Sequence, residues 1–82
     1  MTQHEQTVCD VLAHLFDQDL ARMQPSTSLH DELGVDSTEM VDVVCALEKA
    51  FKIRLPDETE RVAKTIADLG RIIGENLTRS VA

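Results

Sequence analysis

Apolar residues recur every three or four positions in three separate stretches of this chain, and that spacing lays them along single helical faces. Val8, Val11, Leu12, Leu15 and Phe16 form one such face within residues 3–18. Met40, Val44, Leu47 and Phe51 form a second within residues 37–51. At about 100° per residue they lie within about 40° of Met40, with Val43 at the edge of the stripe. Ile66, Leu69, Ile72, Ile73 and Leu77 form the third within residues 65–77, where Gly70 and Gly74 cost some helix propensity. Residues 57–62, after the break at Pro56, read as a short helix of one or two turns. A chain of 82 residues allows one domain, residues 1–82, with a thin core. Only Phe16 and Phe51 are aromatic, so Val, Leu and Ile must fill the interior, which suits small packed helices better than a sandwich of strands. The expected architecture is all-α: a small four-helix bundle of three longer helices and one short helix, with a long first loop.

That loop spans residues 19–36. It holds Pro25 and the run Ser26-Thr27-Ser28, all turn and cap formers. Leu29 and Leu33 are expected to anchor it to the core, and Gly34 permits a backbone conformation that other residues resist. The second helix opens with Asp36-Ser37-Thr38-Glu39, in which Asp36 at the cap and Glu39 three residues on match a capping box. Lys49 and Lys52 at its far end complement the helix dipole. Thr65 with Asp68 offers a cap to the last helix, and the tail from Thr78 to Ala82 is expected to fray.

Charge narrows the classes of partner. The chain carries 15 acidic and 8 basic residues, a net charge of −7, which repels nucleic acid and anionic lipid and attracts basic protein patches. The acids are concentrated: residues 1–48 hold 10 acids and the single base Arg22, whereas residues 49–82 hold 5 acids and 7 bases. Cys9 and Cys45 lie far apart and form no CxxC motif, so neither a zinc site nor a disulfide framework is expected. His4, His14 and His30 lack the spacing of metal ligands, and no metal is expected. No apolar signal segment or membrane-spanning run is present, which leaves a reducing cytoplasm as the expected location.

The second helix presents more than charge to solvent. Opposite its core stripe lie Thr38, Asp42, Cys45 and Lys49, with Val41 on the flank. Val41 and Cys45 are therefore apolar or nearly so on a face that meets water. Isolated exposed apolar residues are ordinary. Here they are ringed by Asp31, Glu32, Asp36, Glu39, Asp42 and Glu48, and no Lys or Arg lies between His30 and Glu48. The combination describes a shallow, acid-rimmed docking patch. For Cys45 the plainer reading is a small surface hydrophobe, since acidic neighbours oppose a reactive thiolate.

The segment Leu33-Gly34-Val35-Asp36-Ser37 carries the chemistry. A lone serine at a helix start is usually a cap. Nothing close in sequence activates Ser37 as a nucleophile: no His or Lys is near, and no G-x-S-x-G elbow is present, so a hydrolase is disfavoured. The chain instead resembles the acyl carrier proteins, whose hallmark is L-G-x-D-S followed by a helix. The resemblance covers nearly the whole chain. It takes in Leu29-His30-Asp31-Glu32 ahead of the motif, Ala46-Leu47-Glu48 and Phe51 in the second helix, and Ile53-Arg54-Leu55-Pro56-Asp57-Glu58, close to the family's I-P-D-E segment.

The resemblance implies a carrier without catalysis of its own. Ser37 would receive 4′-phosphopantetheine from coenzyme A through a separate, magnesium-dependent phosphopantetheinyl transferase. Asp36 would position the site for that enzyme, and Gly34 would allow the tight approach to the helix. Acyl groups would ride as thioesters on the arm and be presented to enzymes of fatty-acid or specialised polyketide or fatty-acyl biosynthesis. The core stripes would line a cavity for them. Acyl-loading enzymes, ketosynthases and other acyl-processing enzymes with basic patches would dock on Thr38, Glu39, Val41, Asp42, Cys45 and Glu48, and a monomer is expected. Thr38 departs from the apolar residue usual after the serine, and Lys49, Ala50, Lys52 and Arg54 make the helix end less acidic than in housekeeping members. Both departures favour a carrier for polyketide or unusual fatty-acyl assembly over the usual fatty-acid partners. Two other readings use the same fold: a carrier of amino or hydroxy acids, of the peptidyl or D-alanyl type, and an unmodified interaction module. The Asp before Ser37 and the acidic charge favour the acyl type.

Overall fold

The computed structural model describes the backbone of residues 1–81 and the side chains of residues 1–78. Four α-helices follow one another: α1 (Gln3–Phe16), α2 (Ser37–Phe51), α3 (Thr59–Val62) and α4 (Ile66–Val81). The all-α bundle with a long first loop is the architecture expected from the apolar spacing.

Capping residues account for most of the helix boundaries. Thr2 and Glu5 close a capping box at the start of α1: Glu5 N donates to Thr2 Oγ1 at 3.1 Å, and Thr2 N donates to Glu5 Oε1 at 2.7 Å. The helix stops at Phe16, two residues short of the expected end, because Asp17 turns into the left-handed region at φ 54°. Helix α2 has the bounds its sequence suggests, ending as Lys52 adopts φ 57°. Helix α3 starts two residues later than expected. Pro56 first closes a turn, its carbonyl accepting from Thr59 N at 3.0 Å, and Asp57 and Glu58 lie within that turn. Helix α4 opens on the expected pair, with Thr65 Oγ1 accepting from Asp68 N and Asp68 Oδ2 accepting from Lys64 N and Thr65 N. It runs four residues past Leu77 to Val81, through the segment expected to fray; no Gly or Pro after Gly74 interrupts it. Ala82, the last residue of that expected tail, lies outside the described residues.

The buried faces are close to those the spacing implies. On α2, Met40, Val43, Val44 and Leu47 are buried, and Phe51 packs partly against the core. On α4, Ile66, Leu69, Ile72 and Ile73 are buried, with Leu77 beside them. Helix α1 is rotated from its expected orientation. Its buried sector centres on Leu12 and reaches Val8 and Cys9, which leaves Val11 at the margin and Leu15 39 % exposed. Helix α1 packs on α4 and α2, and α3 packs on α2. The approach of α1 to α4 is close enough that a Cβ at Gly70 would stand 2.8 Å from Glu5 Cγ.

The long loop is bound to the bundle along its length. A 3-10 turn at Leu20–Arg22, not anticipated from the sequence, is capped by Asp19, whose Oδ1 accepts from Ala21 N at 3.0 Å. Met23, Leu29 and Val35 are buried and Leu33 is partly so. Ser28 forms an isolated antiparallel bridge with Thr65. Around it Leu29 N donates to Lys64 O at 2.9 Å and Ala67 N to Pro25 O at 2.8 Å. The loop thereby fixes the start of α2 against the turn that precedes α4.

Candidate functional site

The loop ends at Gly34, whose φ of +71° lies in the left-handed region that side-chain-bearing residues resist. Gly34 N donates back to His30 O at 3.1 Å, and Val35 N to Leu29 O at 2.9 Å, so the chain reverses tightly before α2. Val35 is buried and anchors the turn. Asp36 and Ser37, next in line, are exposed.

Asp36 is the N-cap. Its Oδ1 accepts from Glu39 N at 2.7 Å, and Glu39 Oε1 accepts from Asp36 N at 3.0 Å, completing the expected capping box. The capping duty is thus discharged by Asp36. Ser37, the first residue of the helix, makes no side-chain hydrogen bond among the described residues. Its hydroxyl is accessible and uncommitted at the positive end of the α2 dipole, where a phosphodiester is well tolerated.

A pocket of about 550 Å³ opens beside Ser37. Its walls come from the loop, the first turn of α2 and the segment from α3 to α4. Leu29, Val35, Met40 and Ala63 supply apolar surface, and Arg61 and Lys64 supply the only Lys or Arg side chains on its lining. Its size falls within the range of small-ligand pockets, roughly 300–1,000 Å³. An exposed serine with a free hydroxyl, a helix N-terminus beneath it, and a pocket next to it in which apolar side chains, Arg61 and Lys64 stand beside Asp31, Asp36 and Glu60 fit a bulky phosphate-linked group. The pocket's α3 side was not anticipated from the sequence. Arg61 and Lys64 are brought to Ser37 only by packing of α3 on α2 and by the Ser28–Thr65 bridge.

The expected docking residues divide into two sets. Thr38, Val41, Asp42 and Cys45 are exposed together on one side of α2, and Val41 is 43 % exposed. Glu39 and Glu48 are half-buried and their carboxylates have internal duties: Glu39 in the capping box and Glu48 accepting from Leu55 N at 2.8 Å, across the turn after α2. Asp42 has no ion pair among the described residues, nor has Lys49. The two cysteines are both free thiols, with Cys9 buried and Cys45 exposed. No described helix is long and apolar enough to cross a membrane.

Comparison with known proteins places this arrangement. The model of the phosphopantetheine attachment site family matches residues 6–73. An acyl carrier protein of Syntrophobacter fumaroxidans is 32 % identical over 69 residues, covering 84 % of this chain and 85 % of the relative. One from Prochlorococcus marinus is 32 % identical over 75 residues, covering 89 % of this chain and 94 % of the relative. The crystal structure of an acyl carrier protein from Thermotoga maritima superposes with a TM-score of 0.79 over 98 % of this chain and 99 % of that chain; at 22 % identity it speaks to the fold. The chain belongs to the acyl carrier proteins, non-catalytic carriers that bear a covalent 4′-phosphopantetheine group.

Proposed function

We propose that Ser37 is the attachment residue and that the chain is a discrete carrier serving a specialised polyketide or fatty-acyl assembly in the cytoplasm. The observation that carries the reading is the division of labour at the start of α2: Asp36 caps the helix, and Ser37 Oγ is left free beside a pocket. In the transfer, Ser37 Oγ bonds to the phosphorus of coenzyme A's pantetheine arm. The adenosine bisphosphate leaves, and the hydroxyl proton passes to base or solvent. The magnesium-dependent transferase supplies that chemistry. Asp36 and the left-handed Gly34 hold the serine at the surface for it. Once attached, the arm's terminal thiol carries the acyl group as a thioester.

Partners with basic patches dock on the exposed side of α2, where Val41 and Cys45 give a small apolar contact and Asp42 gives charge. Charge contacts of this kind speed association and still allow rapid release, which suits a carrier visiting several enzymes. Thr38 reduces the apolar contact next to the serine, which supports a partner set different from that of housekeeping fatty-acid synthesis.

Intact mass tests the reading directly. After incubation with coenzyme A, magnesium and a broad-specificity phosphopantetheinyl transferase, the protein is expected to gain one phosphopantetheine. Ser37→Ala is expected to gain none. A folded protein that stays unmodified with several such transferases would move the chain to an unmodified interaction role. Loading by an adenylating enzyme in place of acyl transfer would mark an amino- or hydroxy-acid carrier.

A further inference from the structure

Most of the charge around Ser37 is negative. Asp31, Asp36 and Glu60 line the pocket beside it, and Glu39 and Asp42 lie on α2. A phosphodiester on Ser37 adds another negative charge and needs donors. Two of the acids are already engaged: Asp31 Oδ1 meets His30 Nδ1 at 3.1 Å, and Asp36 Oδ1 takes Glu39 N. The donors available in the pocket are Arg61 and Lys64, and neither forms an ion pair or side-chain hydrogen bond among the described residues. Both cations are exposed and line the same pocket as the serine, where a phosphodiester could pair with them. Met40, Val35 and Ala63 give the same pocket apolar surface, suited to the methyl-bearing part of a pantetheine chain.

We infer that Arg61 and Lys64 hold the arm's phosphodiester, so that the arm lies back along α3 and leaves the exposed side of α2 clear for partners. The inference rests on Ser37 being the attachment residue. Arg61 sits on α3 and Lys64 in the turn tied to the loop by Leu29 N, so both cations are carried by elements other than α2. A partner docking on α2 would meet the arm from the side. It would have to draw the phosphodiester away from the two cations to take the arm into its own active site.

The test uses isotope-labelled protein in apo and holo forms, with attachment at Ser37 first verified by mass. Attachment is expected to shift the backbone amides of Glu60 and Ala63. It is also expected to give nuclear Overhauser contacts between the arm's geminal methyls and the methyl groups of Ala63 and Met40. Both signals should persist in the charge-conserving R61K/K64R protein. They should be lost in R61Q/K64Q, and they should weaken at about 0.5 M salt, where screening is strong. Shifts confined to the motif and first turn of α2 in the loaded protein, or contacts unchanged in R61Q/K64Q, overturn the inference and leave the attachment reading intact. Absence of any mass gain overturns both.

Discussion

Cys9 is 1 % exposed, and burial, reinforced by the negative charges of Asp10 and Glu5, pushes its thiol above its ordinary value. A thiol that holds its proton more tightly in the folded state stabilises the fold below the unfolded value and loses that contribution as pH rises beyond it. Stability in urea is therefore expected to fall above about pH 8.5 by more in the native protein than in Cys9→Ala. Equal losses in the two proteins would show that Cys9 does not contribute. In apo protein at neutral pH, iodoacetamide is expected to modify the exposed Cys45 first and to leave Cys9 unreacted until the protein unfolds; mass mapping reads both. Thr59 supplies a second residue-level test. Its side chain is buried and Oγ1 has no hydrogen-bond partner among the described residues. A lone buried hydroxyl costs stability, so Thr59→Val is expected to stabilise by about 1 kcal/mol, seen as a higher urea midpoint. The attachment motif was legible at this scale because its signal is local: Gly34, Asp36 and Ser37 need only their neighbours in sequence. The freedom of the Ser37 hydroxyl follows from the same local signal, since Asp36 takes the capping role that its spacing from Glu39 indicates.

Among the elements, the two glycines of α4 are a natural experiment. A Cβ at Gly74 would meet nothing within 4 Å, whereas one at Gly70 would stand 2.8 Å from Glu5 Cγ. Gly74→Ala is expected to stabilise by up to about 1 kcal/mol through helix propensity. Gly70→Ala is expected to gain less or to lose, because Glu5 must move and its capping box with Thr2 must loosen. Denaturation midpoints of the two variants decide the order. The helices themselves were readable because apolar periodicity and caps are local signals, and α2 is the clearest case, with Asp36 and Glu39 at one end and Lys52 at the other. The misplaced boundaries have physical causes that pattern alone does not reveal. Asp17 ends α1 through a left-handed backbone, and the Pro56–Thr59 turn delays α3. Leu15 looked like core on spacing but lies off the sector that α4 and α2 cover.

At the scale of the whole molecule, charge separation governs traffic. The acid-rich first half of the chain includes α2 as far as Glu48, and its field is expected to steer basic partners. Raising ionic strength from about 0.05 to 0.5 M is expected to lower the transferase's kcat/KM on this protein by about 10-fold or more. Asp42→Lys should lower it at low salt while leaving the urea midpoint nearly unchanged; an unaltered rate would place docking elsewhere. The pocket beside Ser37 was beyond the reach of sequence reading, because Arg61 and Lys64 arrive there through tertiary contacts that no spacing rule encodes. Those same contacts distribute rigidity unevenly. Leu29 N, Val35 N, Ile66 N and Ala67 N are all locked into backbone hydrogen bonds across or within the loop, whereas α3 is a single turn with no side-chain cap. Arg61 N and Val62 N also bond, to Glu58 O, but within one exposed turn, so amide deuterium uptake is expected to be slower at Leu29, Val35 and Ile66 than at Arg61 and Val62. The loop's hydrogen bonds with the α3–α4 turn then act as a fixed jamb and α3 as a compliant door. Local opening of α3 is then expected to widen the space next to Ser37 while the rest of the bundle stays folded.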